Sequence, residues 1–172
     1  MIFIVGYMGS GKTTFGKRLA RQLNFEFIDL DKVFEASYKI SITKFFLKYG
    51  EEMFRKMERE LLLKSLDHPD IVVSCGGGTP CYSDNMDLMN KKGLTVYLRL
   101  TPAALANRLE NSRQERPLLQ SLPGNDLLEK IINHLPQRES FYLKAQMVVD
   151  GISINTEETA AKILQVLQQH RV

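Results

Sequence analysis

Residues 2–14 read Ile2-Phe3-Ile4-Val5-Gly6-Tyr7-Met8-Gly9-Ser10-Gly11-Lys12-Thr13-Thr14. The first four are apolar, β-branched or aromatic, and few enough to form one short buried strand. Glycines then interrupt the run. From Lys12 onward, apolar residues at Phe15, Leu19 and Leu23 recur at the spacing of one helix face. Between strand and helix, Gly6, Gly11, Lys12 and Thr13 satisfy the spacing G-x-x-x-x-G-K-[ST], in the setting that spacing requires. Glycines let the backbone curl until its N–H groups point inward around a phosphate, and the helix N-terminus adds partial positive charge. Lys12 supplies a point charge for the β and γ phosphates. The Thr13 hydroxyl suits Mg²⁺, which keeps most of its waters and needs few protein ligands.

Outward from this stretch the chain alternates strand and helix. Residues 25–28 predict a second strand ending in Asp29-Leu30-Asp31, and 32–66 are helical in pattern with a break near Ser41. Residues 71–74 predict a third strand ended by Gly76, Gly77 and Gly78, and 86–92 a helix. Residues 95–98 form the fourth strand, after which Thr101 caps a helix with Pro102 in its first turn. Residues 111–124 are polar and unpatterned and read as a mobile loop. Residues 125–145 predict a long helix, 147–149 a fifth strand and 157–169 a last helix. Such alternation implies an α/β fold with a mainly parallel sheet covered on both faces. Ligands of such sheets sit at the carboxyl ends of the strands. The glycine loop, the Asp29–Asp31 pair and the glycine triplet all fall there.

At 172 residues the chain is long enough for a single domain and too short for two independent ones. It is 44% hydrophobic and 25% charged with a net charge of +3, so charge gives no support to nucleic-acid or membrane-surface binding. No run approaches the ~20 apolar residues of a membrane span, and no signal peptide is expected. Cys75 and Cys81 make neither a disulfide framework nor a zinc motif, and are expected as reduced thiols in a cytoplasmic protein. His68, His134 and His170 are scattered and read as surface or helix residues.

The phosphate loop alone does not separate a GTPase, an ATPase and a small-molecule kinase. An Asn-Lys-x-Asp base-reading motif is missing, and the third strand ends in Ser74 where an ATPase commonly has an acid. Asp29 and Asp31, two apart at a strand end, can point to one side, close to the phosphate loop. Asp31 at the start of the next helix can also serve as an ordinary cap. Arg138 lies on a helix with His134, Leu135, Phe141 and Tyr142 at pairing distance, so no local acid explains it. Arg55 has Glu51, Glu52 and Glu58 at such distances, and an ion pair explains it equally well. The glycine triplet fits close backbone approach to a ligand. Arg116, in the polar loop, suits an arginine that closes over ATP and excludes water. Phe45, Phe46, Met53, Met57 and Leu61 read as core, with Phe54 reaching the pocket wall.

Taken in order, Gly6-x-x-Gly9-x-Gly11-Lys12-Thr13-Thr14, Phe27-Ile28-Asp29-Leu30-Asp31, Ser41-Ile42 with Phe46, Gly50-Glu51, Phe54-Arg55 and Glu58, then Gly76-Gly77-Gly78, Arg116-Pro117-Leu118-Leu119, and Arg138 before Phe141-Tyr142 resemble the shikimate kinases. The likeness runs from Ile4 to about Asp150. It implies a P-loop NTPase-type three-layer sandwich of the nucleoside-monophosphate-kinase kind with a five-stranded sheet. It also implies one domain over 1–172, with a substrate-binding segment near 31–62 and a lid near 111–124. The implied reaction is ATP-dependent phosphorylation of the 3-hydroxyl of shikimate, assisted by Mg²⁺. By this resemblance Asp31, Arg55, Gly76, Gly77, Gly78 and Arg138 match acceptor contacts. Gly9, Ser10, Gly11, Lys12, Thr13, Thr14 and Arg116 match ATP contacts, and Arg108 is a candidate stacking residue for adenine. Thr13 matches the metal position and Asp29 a partner acting through water. Asp31, Lys12 and Arg116 are then the expected catalytic groups. The chain departs from the pattern at Lys39-Ile40, where a glycine is common before Ser-Ile, and Arg108 does not align cleanly in its spacing to Arg116. Partners are expected to be ATP and shikimate alone, with no nucleic acid and no membrane, and the chain to act as a monomer. Two other readings stay open: a kinase of another polyol acid such as gluconate, and a nucleotide-dependent binding module without an acceptor.

Overall fold

A computed structural model describes residues 1–111 and 124–169. The first strand, β1 (Ile2–Val5), is fully buried, and its alternating side chains feed two cores. Ile2 and Ile4 join a cluster with Phe15, Leu19, Ala160 and Ile163 on one face of the sheet. Phe3 and Val5 join the larger cluster on the other, with Phe34, Leu62, Leu105, Ile131 and Tyr142. A strand apolar on both sides can only be stable in the middle of a sheet covered on both faces.

The sheet has five strands in the order β2 (Glu26–Asp29), β3 (Ile71–Ser74), β1, β4 (Leu94–Arg99) and β5 (Met147–Asp150). All four pairings are parallel. Helices α1 (Lys12–Leu23) and α7 (Thr156–Gln169) supply the smaller core. The other face is covered by α2 (Leu30–Tyr38), α3 (Ile42–Ser65), α4 (Asn85–Lys92), α5 (Pro102–Glu110) and α6 (Gly124–Tyr142). The result is the expected three-layer sandwich, with β1 between β3 and β4, so that three strand ends open on one crevice.

Local chemistry explains most boundaries. Thr101 caps α5 through its hydroxyl to the Ala104 N–H at 3.3 Å, with Pro102 at the first position. Ser41 caps α3 on the Lys44 N–H, which is why the helical pattern breaks there. The cap of α2 is Asp29, on the Lys32 N–H, and not Asp31. Helix α2 begins at Leu30, two residues earlier than the 32–66 pattern suggests, because Asp29 still belongs to β2 while its carboxylate closes the helix.

Two expectations about the 42–65 segment change. Gly50, at φ 79° and ψ 168°, kinks α3 with a backbone only glycine adopts at ease. Beside the kink Met53 turns outward, 48% exposed, and leaves the core. Phe45 and Leu61 are buried as expected, and Met57 is packed on the core. Phe46 also packs partly on the core but lines the cavity described next.

Candidate active site

The sequence brings the phosphate loop to the crevice by a sharp reversal after β1. Gly11, at φ 96° and ψ 17°, sits in the left-handed region and starts α1 directly behind it. Lys12 folds back over this loop. Its Nζ donates to the carbonyls of Gly6 and Tyr7, each at 2.9 Å, and the side chain is buried. Ser10 is buried too; its hydroxyl has no hydrogen-bond partner among the described residues, and its carbonyl accepts from Arg108 Nη1 at 2.8 Å. The same guanidinium donates to the carbonyl of Gly151 at 2.8 Å. Arg108 therefore ties the phosphate loop to the end of β5.

A cavity of about 910 Å³ lies over this loop. Its walls include Gly9, Gly11, Lys12, Thr13 and Thr14 on the donor side, with Arg108 beside them. Asp29, Asp31, Arg55, Gly76, Gly77, Gly78 and Arg138 make up the other side. All the expected site residues that the structure describes thus converge on one space, except Ser10, which backs the loop from beneath. Arg116 lies outside the described residues, as do 112–123 of the expected lid. Neither Glu58 nor Met8 was expected to function in the site, yet both line it.

Thr13 and Asp29 meet where the phosphate loop faces β2. Thr13 Oγ1 donates to Asp29 Oδ2 at 2.6 Å, leaving its lone pairs directed elsewhere. Both donors are hard oxygens, the kind that Mg²⁺ takes, and a single hydroxyl with a neighbouring carboxylate suits a cation that keeps its waters and binds mainly to phosphate. No cluster of three His, Cys, Asp or Glu side chains with metal-ligand geometry occurs among the described residues, so these residues do not form an all-protein cage.

Asp31 stands across the cavity, open to solvent through the pocket mouth but flanked by protein on its other sides. Desolvation is the main cause that lifts its carboxyl from 3.8 to about 6, and the Glu58 and Asp29 charges push in the same direction. Lys12 and Arg55 oppose them. A carboxylate tuned near neutrality suits the transfer of a hydroxyl proton.

Arg55 answers the ambiguity left by its neighbours: it makes the ion pairs and faces the cavity as well. It binds Glu51 at 2.9 Å and Glu58 at 2.8 Å. Glu58 is buried, and its second oxygen accepts from Thr79 Oγ1 at 2.6 Å. The result is a fixed guanidinium pressed against the glycine triplet. A Cβ at Gly78 would lie 2.2 Å from Arg55 Nη2, and one at Gly76 would lie 2.6 Å from Glu58 Oε1 and 2.8 Å from Asp31 Oδ1. Glycine is needed here because side chains already fill the space.

Arg138 reaches the same cavity from α6. Its guanidinium carbon stands 6.0 Å from the centre of the Tyr7 ring, and it acts on the Tyr142 hydroxyl one turn later. It takes part in none of the ion pairs among the described residues. The walls thus hold two arginines on one side of an acid, and a phosphate loop on the other. Such a site can hold a polyphosphate opposite a small carboxylate and bring a hydroxyl between them.

Comparison with known proteins agrees with this arrangement. Residues 8–168 match the family model described as shikimate kinase. The shikimate kinase of Parabacteroides distasonis is 41% identical over 168 residues, covering 98% of this chain and 97% of its own. The crystal structure of shikimate kinase from Bacteroides thetaiotaomicron superposes with a TM-score of 0.88 at 40% identity, covering 98% and 97% of the two chains. That of the Acinetobacter baumannii enzyme in complex with shikimate gives 0.82 at 30% identity, covering 99% and 94%. A gluconokinase from Sinorhizobium meliloti, at a TM-score of 0.61 and 20% identity over 98% and 93%, shares the fold alone.

Proposed function

We propose that this chain, which belongs to the shikimate kinase family, phosphorylates the 3-hydroxyl of shikimate from ATP with the residues of the cavity in separate roles. The observation that carries the assignment of roles is the meeting of the phosphate loop, Asp31, Arg55 and Arg138 around one space.

Arg55 and Arg138 grip the acceptor carboxylate, since guanidinium forks match carboxylate geometry. The glycine triplet lets the ring approach the backbone. Asp31 accepts a hydrogen bond from the attacking hydroxyl and takes its proton as the bond to the γ-phosphorus forms and the γ-phosphorus–oxygen bond to the ADP leaving group breaks. Lys12 leaves the carbonyls of Gly6 and Tyr7 to neutralise the phosphates held by the N–H groups of Gly9, Ser10, Gly11, Lys12, Thr13 and Thr14. Arg116 adds charge on the transferring phosphoryl group. Thr13, with Asp29 acting through water, would hold Mg²⁺, which would supply charge neutralisation at the phosphates. Arg108 contributes to the nucleotide side from its place beside Ser10. Its hydrogen bonds to two carbonyls favour bracing the loop over stacking on adenine. Positioning and preorganised charge supply most of the rate in such transfers.

The protein acts on these small molecules as a monomer in the cytoplasm. The free thiols of Cys75 and Cys81 support a reducing compartment, and none of the described helices is long and apolar enough to cross a membrane. A coupled ADP-release assay with and without shikimate, beside a panel of hydroxy acids, tests the function. ADP release should depend on shikimate. Equal release with gluconate, or release independent of any acceptor, would overturn the reading.

A further inference from the structure

The phosphate-loop spacing leaves position 7 open to any residue, so phosphate binding does not explain why a tyrosine stands there. The Tyr7 side chain is 1% exposed and lies against His134 and Arg138 of α6. Its hydroxyl is 2.8 Å from His134 Nδ1, and the two rings meet edge to face at 5.7 Å. The Arg138 guanidinium lies over the Tyr7 ring. His134, Arg138 and Tyr142 are spaced by four along α6 and form one stripe on it. At the far end of that stripe the Tyr142 hydroxyl donates to the carbonyl of Gly77 at 2.5 Å. The Tyr7 carbonyl meanwhile accepts from Lys12. One residue therefore touches the cation of the donor side through its backbone and the cation of the acceptor side through its ring.

We infer that Tyr7 and His134 are positioning residues that fix Arg138 for the acceptor carboxylate, by clamping α6 onto the phosphate loop. This rests on the reading of Arg138 as an acceptor-binding residue. An arginine loses rotamer freedom when it is immobilised, so a ring beneath the guanidinium reduces what binding must still order. Cation–π support and a hydrogen bond each change an equilibrium constant roughly fivefold.

The protonation states agree with the geometry. Burial pushes the Tyr7 phenol up, so it stays a donor. Burial first, then the charges of Arg138 and Lys130, lowers the His134 imidazole against an opposing pull from Glu51, so the ring stays neutral, and in the tautomer with its proton on Nε2 the Nδ1 atom accepts from the phenol.

The test is steady-state kinetics of the full chain with either substrate varied, for Tyr7→Phe, Tyr7→Leu, His134→Leu, His134→Asn, Arg138→Ala and the double variant Tyr7→Leu/Arg138→Ala. Tyr7→Leu and His134→Leu should raise the KM for shikimate roughly three- to tenfold, with kcat and the KM for ATP within twofold. Tyr7→Phe should lie between them and the native protein. His134→Asn, whose amide oxygen sits near the place of Nδ1, should recover most of the loss. In the Arg138→Ala background Tyr7→Leu should add nothing, because it acts through Arg138. A Tyr7→Leu effect that multiplies in full in that background would overturn the inference, as would an unmoved KM for shikimate in His134→Leu. His134 is only half-buried, so its variants carry the test where Tyr7→Leu does not fold. If Arg138→Ala itself leaves the KM for shikimate unchanged, the assignment of Arg138 fails, and the positioning roles fall with it.

Discussion

Replacing Gly78 by alanine tests the acceptor side through a single methyl group. The Gly78 backbone, at φ −99° and ψ −10°, is open to any residue, so the substitution stores no strain in the chain itself. Its effect comes from space alone. The new Cβ would lie 2.2, 2.5 and 2.7 Å from three atoms of the Arg55 guanidinium. An ordinary contact starts near 3.4 Å, so the guanidinium must retreat by more than an ångström. Arg55 cannot retreat without cost, because Glu58 and Glu51 hold it at 2.8 and 2.9 Å and Glu58 is buried. Hydrogen bonds to charged groups contribute about 1.5–3 kcal/mol each. Losing one such bond to the acceptor raises its KM on the order of 10- to 150-fold. The KM for ATP should stay within twofold. The assay is ADP release at saturating ATP with shikimate varied, beside thermal unfolding. Gly77→Ala is the matched comparison, since its Cβ would meet Met8 N at 3.4 Å and Arg138 Nη1 at 3.6 Å, both ordinary contacts. A KM for shikimate within twofold of native in Gly78→Ala would refute the reasoning. Equal damage in Gly77→Ala would place the cause in the approach of the substrate to the backbone and not in Arg55.

Gly50→Ala meets no atom within 4 Å but is held at φ 79°, so it should lower stability by about 1–3 kcal/mol in chemical denaturation while kcat and both KM values stay within threefold. Below pH about 6 the kcat/KM for shikimate should fall toward tenfold per pH unit as Asp31 takes up a proton, and Asp31→Asn should lose both that inflection and most of kcat. Because the folded value is raised above 3.8, the Asp31 contribution to stability is present at low pH and lost as pH rises through about 6; Asp31→Asn should therefore melt higher than the native protein at pH 8. Thr13→Val removes one oxygen donor and the partner of Asp29, so the Mg²⁺ concentration for half-maximal activity should rise at least fivefold, as read by Mg²⁺ titration at fixed ATP; an unchanged midpoint would exclude Thr13 as a ligand.

The donor half of the site was legible because its chemistry is local. A strand, a glycine loop and a helix follow one another without interruption, and the loop's function resides largely in its backbone. The acceptor half depends on residues far apart in sequence. Spacing alone left Arg55 evenly divided between an ion pair and a binding role. The structure shows the ion pairs, and Glu51 and Glu58 hold the guanidinium where it faces the cavity. Asp29 illustrates a different difficulty. A carboxylate at a strand end and a helix cap look alike in sequence, and here one side chain serves the Lys32 N–H with one oxygen and Thr13 with the other. The kink at Gly50 was hidden because helical periodicity continues across it, and its one visible sign was the glycine itself. Tyr7 and His134 are 127 positions apart, and no local pattern links a loop residue to one face of a distant helix.

The internal hydrogen bonds of Lys12 bear on which anions the loop accepts. Its ammonium group is already solvated by two carbonyls of its own chain, so an incoming anion competes with the protein and not with bulk water alone. Inorganic phosphate offers one centre of charge in exchange. A nucleoside triphosphate offers a chain of them, along with oxygens for the loop's N–H groups at the same time. The exchange favours the longer ligand by more than its extra charge, since one displacement is shared among many new contacts. On the proposed role of Lys12, these two carbonyls would set a threshold for entry that a triphosphate passes more readily than a single phosphate.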